Sequence, residues 1–283
     1  MIAFAPAKIN IGLYVVGKRK DGYHNIVTCM VPIKWFDAVE IVRAKDRNSK
    51  LCIYGDFKQE VPKENNTILK TLNLIKDKHN IAGVEIHLLK QIPAGTGLGG
   101  ASSDAATTIN LLDKLFKLNL SLEKKYNIAE QVGSDVPFFI KSRSAIASGK
   151  GEKLEYIDLP WLADYFIIVV VPKEKLSTAE MYSRIEGYSN PPKDFKQLLM
   201  KGPRYWKNKI INQFEPIAES IYPHLAEIKR TLYEAGSEYA SLSGSGSAYF
   251  GLFNRGQISR LNDILNMLKA IKNLRVVKYI AIS

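Results

Sequence analysis

The stretch Pro93–Ala106, PAGTGLGGASSDAA, places four glycines within six positions and follows them with Ser102-Ser103. Before it lies Val84–Leu89, an aliphatic, β-branched run with the pattern of a strand. After it, Ala105, Ile109, Leu112 and Phe116 recur at spacings of four, three and four, which predicts a helix. A glycine turn between a strand and a helix start presents backbone N–H groups with no side chains in the way. The helix dipole adds partial positive charge, so the segment suits an anion, phosphate above all. A tight connection alone would not need four glycines and a serine pair.

Two phosphate-loop templates fail here. Gly95, Gly97 and Gly100 satisfy G-x-G-x-x-G, but a dinucleotide fold also requires a second strand ending in an acidic residue about 20 residues further on. That region, Lys114–Lys125, is lysine-rich and lacks a strand pattern. Gly95 and Gly100 also have Walker spacing, but Ala101 occupies the lysine position.

The chain has 283 residues, enough for one large domain or two ordinary ones, and its 46% hydrophobic content supplies ample core. No apolar run has the length of a membrane span, and Lys8 interrupts the first apolar segment, so neither a membrane anchor nor a signal peptide is expected. Two cysteines, Cys29 and Cys52, predict a reduced, cytoplasmic setting rather than a disulfide scaffold. The net charge of +12 is dispersed, its densest groups being Lys18-Arg19-Lys20 and Lys124-Lys125. It favours a polyanionic small ligand over nucleic acid, for which the aromatic, zinc and basic-tail signatures are missing.

Along the chain, Ile2–Val16 reads as a strand pair or one bent strand, with Lys8 and Asn10 on one face and Ile9 and Ile11 on the other. Asp21-Gly22 marks a hairpin and leads to Tyr23-His24. Ile26–Val42 alternates as further strands, and Arg43–Lys63 is polar and turn-rich. Asn66-Thr67 opens a helix carrying Ile68, Leu72 and Ile75. Lys90 ends the strand before the loop, where its ammonium either reaches a nucleotide or is solvated. Ser121 and Gly133 delimit a helix over Leu122–Val132. Asp135, the single charge in Gly133–Ile140, is either a cap or a buried functional group. Gly149-Lys150-Gly151 is a hairpin turn, Tyr165–Val171 a buried strand, and Ser177–Glu180 a helix start. Gly187–Lys209 reads as a variable polar loop. The remaining pattern, helix–strand–glycine turn–strand–helix–strand, predicts helices on one face of an antiparallel sheet.

Three blocks recur in one order: Pro6-Ala7-Lys8-Ile9-Asn10, the loop Pro93–Ser103, and the glycine turn Leu242–Ala248. They resemble the family of galactokinase, homoserine kinase, mevalonate kinase and phosphomevalonate kinase (GHMP kinases), whose loop pattern P-x-G-x-G-L-G-G-x-S-S is met at every fixed position of Pro93–Ser103. Arg19–His24 and Gly133–Phe139 resemble the branch of that family acting on a cytidine-diphosphate-bearing methylerythritol in the non-mevalonate isoprenoid route.

The resemblance implies an α+β, two-domain GHMP kinase fold. A ribosomal-protein-S5-like mixed α/β domain over 1–158 would bind ATP and catalyse, and a ferredoxin-like α+β domain over 159–283 would bind substrate. The active site is expected between them. It further implies Lys8 and Asp135 as the catalytic pair, and Pro93, Ala94, Gly95, Thr96, Gly97, Leu98, Gly99, Gly100, Ala101, Ser102 and Ser103 as the ATP loop, with Lys90 and Asn66 alongside. Asn10, Tyr23, His24, Thr178, Tyr182, Gly244 and Gly246 would hold the acceptor. Tyr23 and Tyr182 would stack on cytosine, with His24 at its edge; a core position for Tyr182 stays open. ATP would bring Mg²⁺ without dedicated protein ligands, and Asp104 would complement the helix dipole or lie near that ion. A monomer or weak homodimer is expected. A sibling alcohol or amino-acid kinase is the competing reading, and a basic RNA-binding protein on a related fold a more distant one.

Overall fold

The computed structural model describes residues 1–46, 48–62, 64 and 66–281. In chain order the elements are β1 (Ile2–Lys18), β2 (His24–Arg43), β3 (Lys50–Tyr54), α1 (Thr67–Lys76), β4 (Val84–Leu89), α2 (Gly100–Phe116), α3 (Leu122–Val132), α4 (Val136–Lys141), β5 (Ala145–Gly149) and β6 (Lys153–Tyr156). There follow β7 (Tyr165–Pro172), α5 (Thr178–Ser183), α6 (Phe195–Lys201), α7 (Glu215–Ile221), α8 (Leu225–Glu234), β8 (Tyr239–Leu242), β9 (Tyr249–Asn254), α9 (Leu261–Lys269) and β10 (Leu274–Ala281). The chain forms two compact units, each discontinuous in sequence. One comprises Met1–Lys8, Trp35–Ala94 and Gly99–Arg143; the other comprises Ile9–Lys34, Gly95–Leu98 and the chain from Ser144 onward. The long strands β1 and β2 each contribute to both, whereas the sequence reading places a single cut near Asp158.

In the first unit the C-terminal half of β2 pairs antiparallel with β4, Ala38 opposite Leu89, and β4 pairs parallel with β3. β3 lies inside a region whose polar composition reads as turns; pairing to the apolar β4 overrides that weak local preference. Helices α1 to α4 pack together. The Asn66 side chain caps α1 by accepting from the Ile68 and Leu69 amides, and Ile68, Leu72 and Ile75 are buried at helical spacing. α3 runs over Leu122–Val132 as its sequence predicts, with Ser121 accepting from the Lys124 amide and Gly133 ending it.

In the second unit, Asp21-Gly22 turns the chain between β1 and β2. Gly22 adopts φ +85, and the Asp21 carboxylate accepts from the Tyr23 amide. The N-terminal half of β2 pairs with β5, which makes a hairpin with β6. The remaining strands form an antiparallel sheet in the order β10-β7-β9-β8, the order of a ferredoxin-like layer. All eight residues of β7 are buried, as a central strand covered on both faces requires. Leu225, Ile228 and Leu232 of α8 and Ile264 and Leu268 of α9 join Phe166, Ile168, Val170 and Phe253 in one core. α6 falls inside the stretch read as a polar loop; Phe195, Leu198 and Leu199 are its buried face, too short a pattern to stand out beside Pro191-Pro192.

Candidate active site

The glycine loop is built as its sequence demands. Gly95, Gly97 and Gly99 all adopt left-handed φ, at +68, +78 and +73. At Gly97 a side chain is excluded for a second reason, since a Cβ would stand 1.9 Å from the Ser243 carbonyl oxygen. Ser243 Oγ donates to the Gly97 carbonyl at 2.9 Å, and the Ala248 amide donates to the Thr96 carbonyl at 3.0 Å. The turn Leu242–Ala248 therefore buttresses the phosphate loop. Gly244 and Gly246, expected at the acceptor, serve this turn: the Gly244 carbonyl accepts from Asn212 Nδ2 at 2.8 Å, and a Cβ on Gly246 would meet Leu176 Cδ1 at 2.8 Å. Sequence reasoning did not single out Ser243 or Asn212, whose partners are distant in the chain.

Gly99 is the N-cap of α2 and supplies no side-chain acceptor to that helix start. The amides of the first turn have no intrahelical partner by construction, so this end of α2 is suited to receive phosphate oxygens. Among the other expected loop residues, Thr96, Leu98 and Ser103 have buried side chains, and Ala101 and Ser102 stand nearer the surface. The Ala94 amide is taken by Glu60 Oε2 at 2.9 Å.

The side chains of two residues expected beside the nucleotide have protein partners. Lys90 is neither solvated nor extended toward a ligand: it is 1% exposed, and its Nζ lies 2.5 Å from Asp37 Oδ2 and 2.8 Å from Asp104 Oδ2. Burial disfavours its charge, but Asp104 and Asp37 outweigh that and hold its pKa above the ordinary lysine value. Asp104 is pushed up to about 7, first by burial, with Asp37 adding to the rise and Lys90 opposing it. The Asn66 side chain is spent on its cap and on the Pro62 carbonyl.

Of the two readings of Asp135, the cap is not realised. It occupies the N-cap position of α4 but makes no capping hydrogen bond. Its Oδ2 lies 3.5 Å from Lys8 Nζ, and the two side chains are 29% and 3% exposed. Burial lowers the Lys8 pKa, and the Asp135 charge and hydrogen bond pull it back up. A Cβ on Gly99 would sit 3.1 Å from Lys8 Cγ, so the pair adjoins the start of α2. Lys8 is buried, which excludes the half-exposed edge strand that its alternation alone allows.

The expected acceptor residues Asn10, Tyr23, His24, Thr178 and Tyr182 all lie in the second unit. His24 and Tyr182 stack on each other, with ring centroids 5.0 Å apart and planes 19° apart, and Tyr182 meets Phe214 edge-on. Tyr23 is 57% exposed and lies beneath Lys150 Nζ, 4.9 Å from its ring centroid. Burial, and after it Lys18, lowers the His24 pKa, so the ring is neutral at pH 7. Asn10 Nδ2 donates to Thr28 Oγ1 at 3.1 Å, and Thr178 Oγ1 lies 2.9 Å from Ser245 Oγ. His24 thus covers one face of Tyr182, and Tyr23 is the more exposed of the two tyrosines.

A glycine loop on a helix N-terminus, with a carboxylate–ammonium pair beside it, is the equipment of a small-molecule kinase. Residues 66–143 match the model of the GHMP kinases N terminal domain, and residues 193–267 that of the GHMP kinases C terminal domain. A protein of Parabacteroides distasonis named 4-diphosphocytidyl-2-C-methyl-D-erythritol kinase is 42% identical over 256 residues, covering 90% of this chain and 92% of its own. A crystal structure of 4-(cytidine 5′-diphospho)-2C-methyl-D-erythritol kinase superposes with a TM-score of 0.79 at 28% identity, covering 99% of each chain. The fold alone is shared with a homoserine kinase from Cytophaga hutchinsonii, at TM-score 0.72 and 15% identity over 98% of this chain and 94% of that one. The chain belongs to the GHMP kinases and, among them, to the family of 4-diphosphocytidyl-2-C-methyl-D-erythritol kinases.

Proposed function

We propose that this kinase transfers the γ-phosphoryl group of ATP to the 2-hydroxyl of 4-diphosphocytidyl-2-C-methyl-D-erythritol, a step toward isoprenoid precursors by the non-mevalonate route. The observation that carries the chemistry is the Lys8–Asp135 pair at 3.5 Å beside the start of α2. The acceptor oxygen forms a bond to the γ-phosphorus as the bond to the ADP oxygen breaks, and its proton passes to Asp135. Because the transition state is loose, the proton leaves late and positioning dominates. Lys8 orients the hydroxyl and offsets developing negative charge. The loop Gly95–Ser103 cradles the phosphates through backbone amides and the α2 dipole.

Tyr23 and Tyr182 provide stacking faces for cytosine, Tyr23 the principal one, and neutral His24 reads the edge of the base. Asn10 and Thr178 are polar neighbours of the acceptor. Among the described residues, no group of three or more His, Cys, Asp or Glu side chains stands together to hold a metal ion. Mg²⁺ is assigned to ATP as the counter-ion of its phosphates. We further assign the protein to the cytoplasm as a monomer or weak homodimer; no described helix is long and apolar enough to cross a membrane. ADP release with Mg-ATP tests the reading: turnover with the cytidyl acceptor and none with homoserine supports it, and the reverse overturns it.

A further inference from the structure

Lys90, Asp37 and Asp104 form a buried cluster that the phosphoryl-transfer steps leave unused. The three side chains are 2%, 0% and 3% exposed. Asp37 Oδ1 accepts from the amides of Gln91 and Ile92, at 2.5 and 2.8 Å, in the segment that enters the glycine loop. Asp104 is the fifth residue of α2, on the far side of the loop. A Cβ on Gly100, the first residue of α2, would lie 2.9 Å from Lys90 Nζ, so the helix start rests against the ammonium. One cation thus ties the chain entering the loop to the chain leaving it. Among the described residues, Asp104 Oδ1 and Ser103 Oγ are buried without a hydrogen-bond partner, while Asp104 Oδ2 is held by Lys90.

We propose that the Lys90 side chain is a positioning group for the ATP phosphates, acting through Asp37 and Asp104 rather than by contact with them. Buried ion pairs are weak contributors to stability but good at specifying one arrangement. Here the arrangement specified is the distance between Ile92 and the first turn of α2, which sets where the loop amides point. Loops rich in glycine have many backbone states, and fixing both ends removes most of them before ATP arrives. The inference rests on the kinase reading above and adds a residue to it.

The test measures ATP binding by calorimetry, and KM for ATP and for the cytidyl acceptor, in Lys90→Met, Asp104→Asn and the double variant, with thermal midpoints alongside. Lys90→Met strands two buried acids; the double variant removes one of those charges and keeps Asp37 on its two amides, so it retains the fold if the single variant does not. Both variants lacking Lys90 are expected to weaken ATP by about tenfold to a hundredfold, the scale of misplacement effects, while KM for the acceptor stays within about twofold. Asp104→Asn, which keeps an oxygen for Lys90 to donate to, is expected to lose a smaller factor. The double variant is expected to bind ATP no more weakly than Lys90→Met, because both changes cut one tie. Normal ATP affinity in the folded double variant, or additive losses indicating a direct contact, overturns the proposal. Failure of the wild-type protein to bind ATP would instead remove the kinase reading itself.

Discussion

Lys8 Nζ faces Asp135 Oδ2 at 3.5 Å, joining the N-terminal strand to the first residue before α4 across most of the sequence of the first unit. The pair is asymmetric. Lys8 is buried and Asp135 is about one-third open, so the carboxylate is the member that can meet a hydroxyl and return its proton to water. Asp135→Asn removes the proton acceptor with little change in shape. It is expected to lower kcat at least about a hundredfold, with KM for ATP nearly unchanged. Steady-state kinetics of the folded variant check this, and near-normal turnover would take Asp135 out of the reaction.

The Lys8 ammonium sets an alkaline limit. Its pKa is lowered by burial, Asp135 only partly restoring it, so it loses its proton at lower pH than an ordinary lysine. The unfolded chain holds that proton more tightly, so over the interval between the two values the folded state gains relative stability as pH rises. Activity should nevertheless fall there, because the neutral amine no longer supports the transition state. The pH profile of kcat is expected to show an alkaline limb below 10.5. Lys8→Arg, which stays protonated, is expected to lack that limb whatever activity it retains.

Gly95 and Gly97 offer a matched pair. Both have positive φ, but a Cβ at Gly95 meets nothing within 4 Å, whereas at Gly97 it meets the Ser243 carbonyl at 1.9 Å. Gly95→Ala should cost about 1–2 kcal/mol of stability, from backbone conformation alone. Gly97→Ala should cost clearly more and also raise KM for ATP, because the loop must lift from its buttress. Equal denaturation midpoints for the two variants would contradict this account of the turn Leu242–Ala248.

Tyr23, exposed beside neutral His24, is assigned to the base. Tyr23→Ala should raise KM for the cytidyl acceptor by roughly 5- to 150-fold, the equivalent of about 1–3 kcal/mol of stacking, with KM for ATP unchanged. Tyr182→Ala should have a smaller effect, since one face of that ring already carries His24. A larger loss at Tyr182 than at Tyr23 would reverse the assignment of the principal platform.

The loop was legible because backbone geometry dictates its composition: glycines at φ +68, +78 and +73 leave a trace that no polar loop mimics. The α3 boundaries were legible for a similar reason, since Ser121 and Gly133 are local signals. The burial of Lys90 is not legible because its two partners lie 53 and 14 residues away, and a strand-end lysine looks the same in sequence whether solvated or buried. Asp37 gives only a faint signal, one of two acids in an apolar, alternating strand. β3 was missed because its pairing with β4, not its own composition, makes it a strand. Ser243 and Asn212 act through backbone carbonyls, and no residue type announces that role.

The central claim is that the nucleobase site selects the acceptor while the Lys8–Asp135 pair performs the transfer. The most direct test is the ratio of kcat/KM for 4-diphosphocytidyl-2-C-methyl-D-erythritol to that for the methylerythritol phosphate lacking its cytidine, at fixed Mg-ATP. The account predicts a preference of at least about tenfold, from stacking on Tyr23 together with contacts to His24, and a collapse of that preference in Tyr23→Ala. Equal kcat/KM for the two acceptors would contradict it.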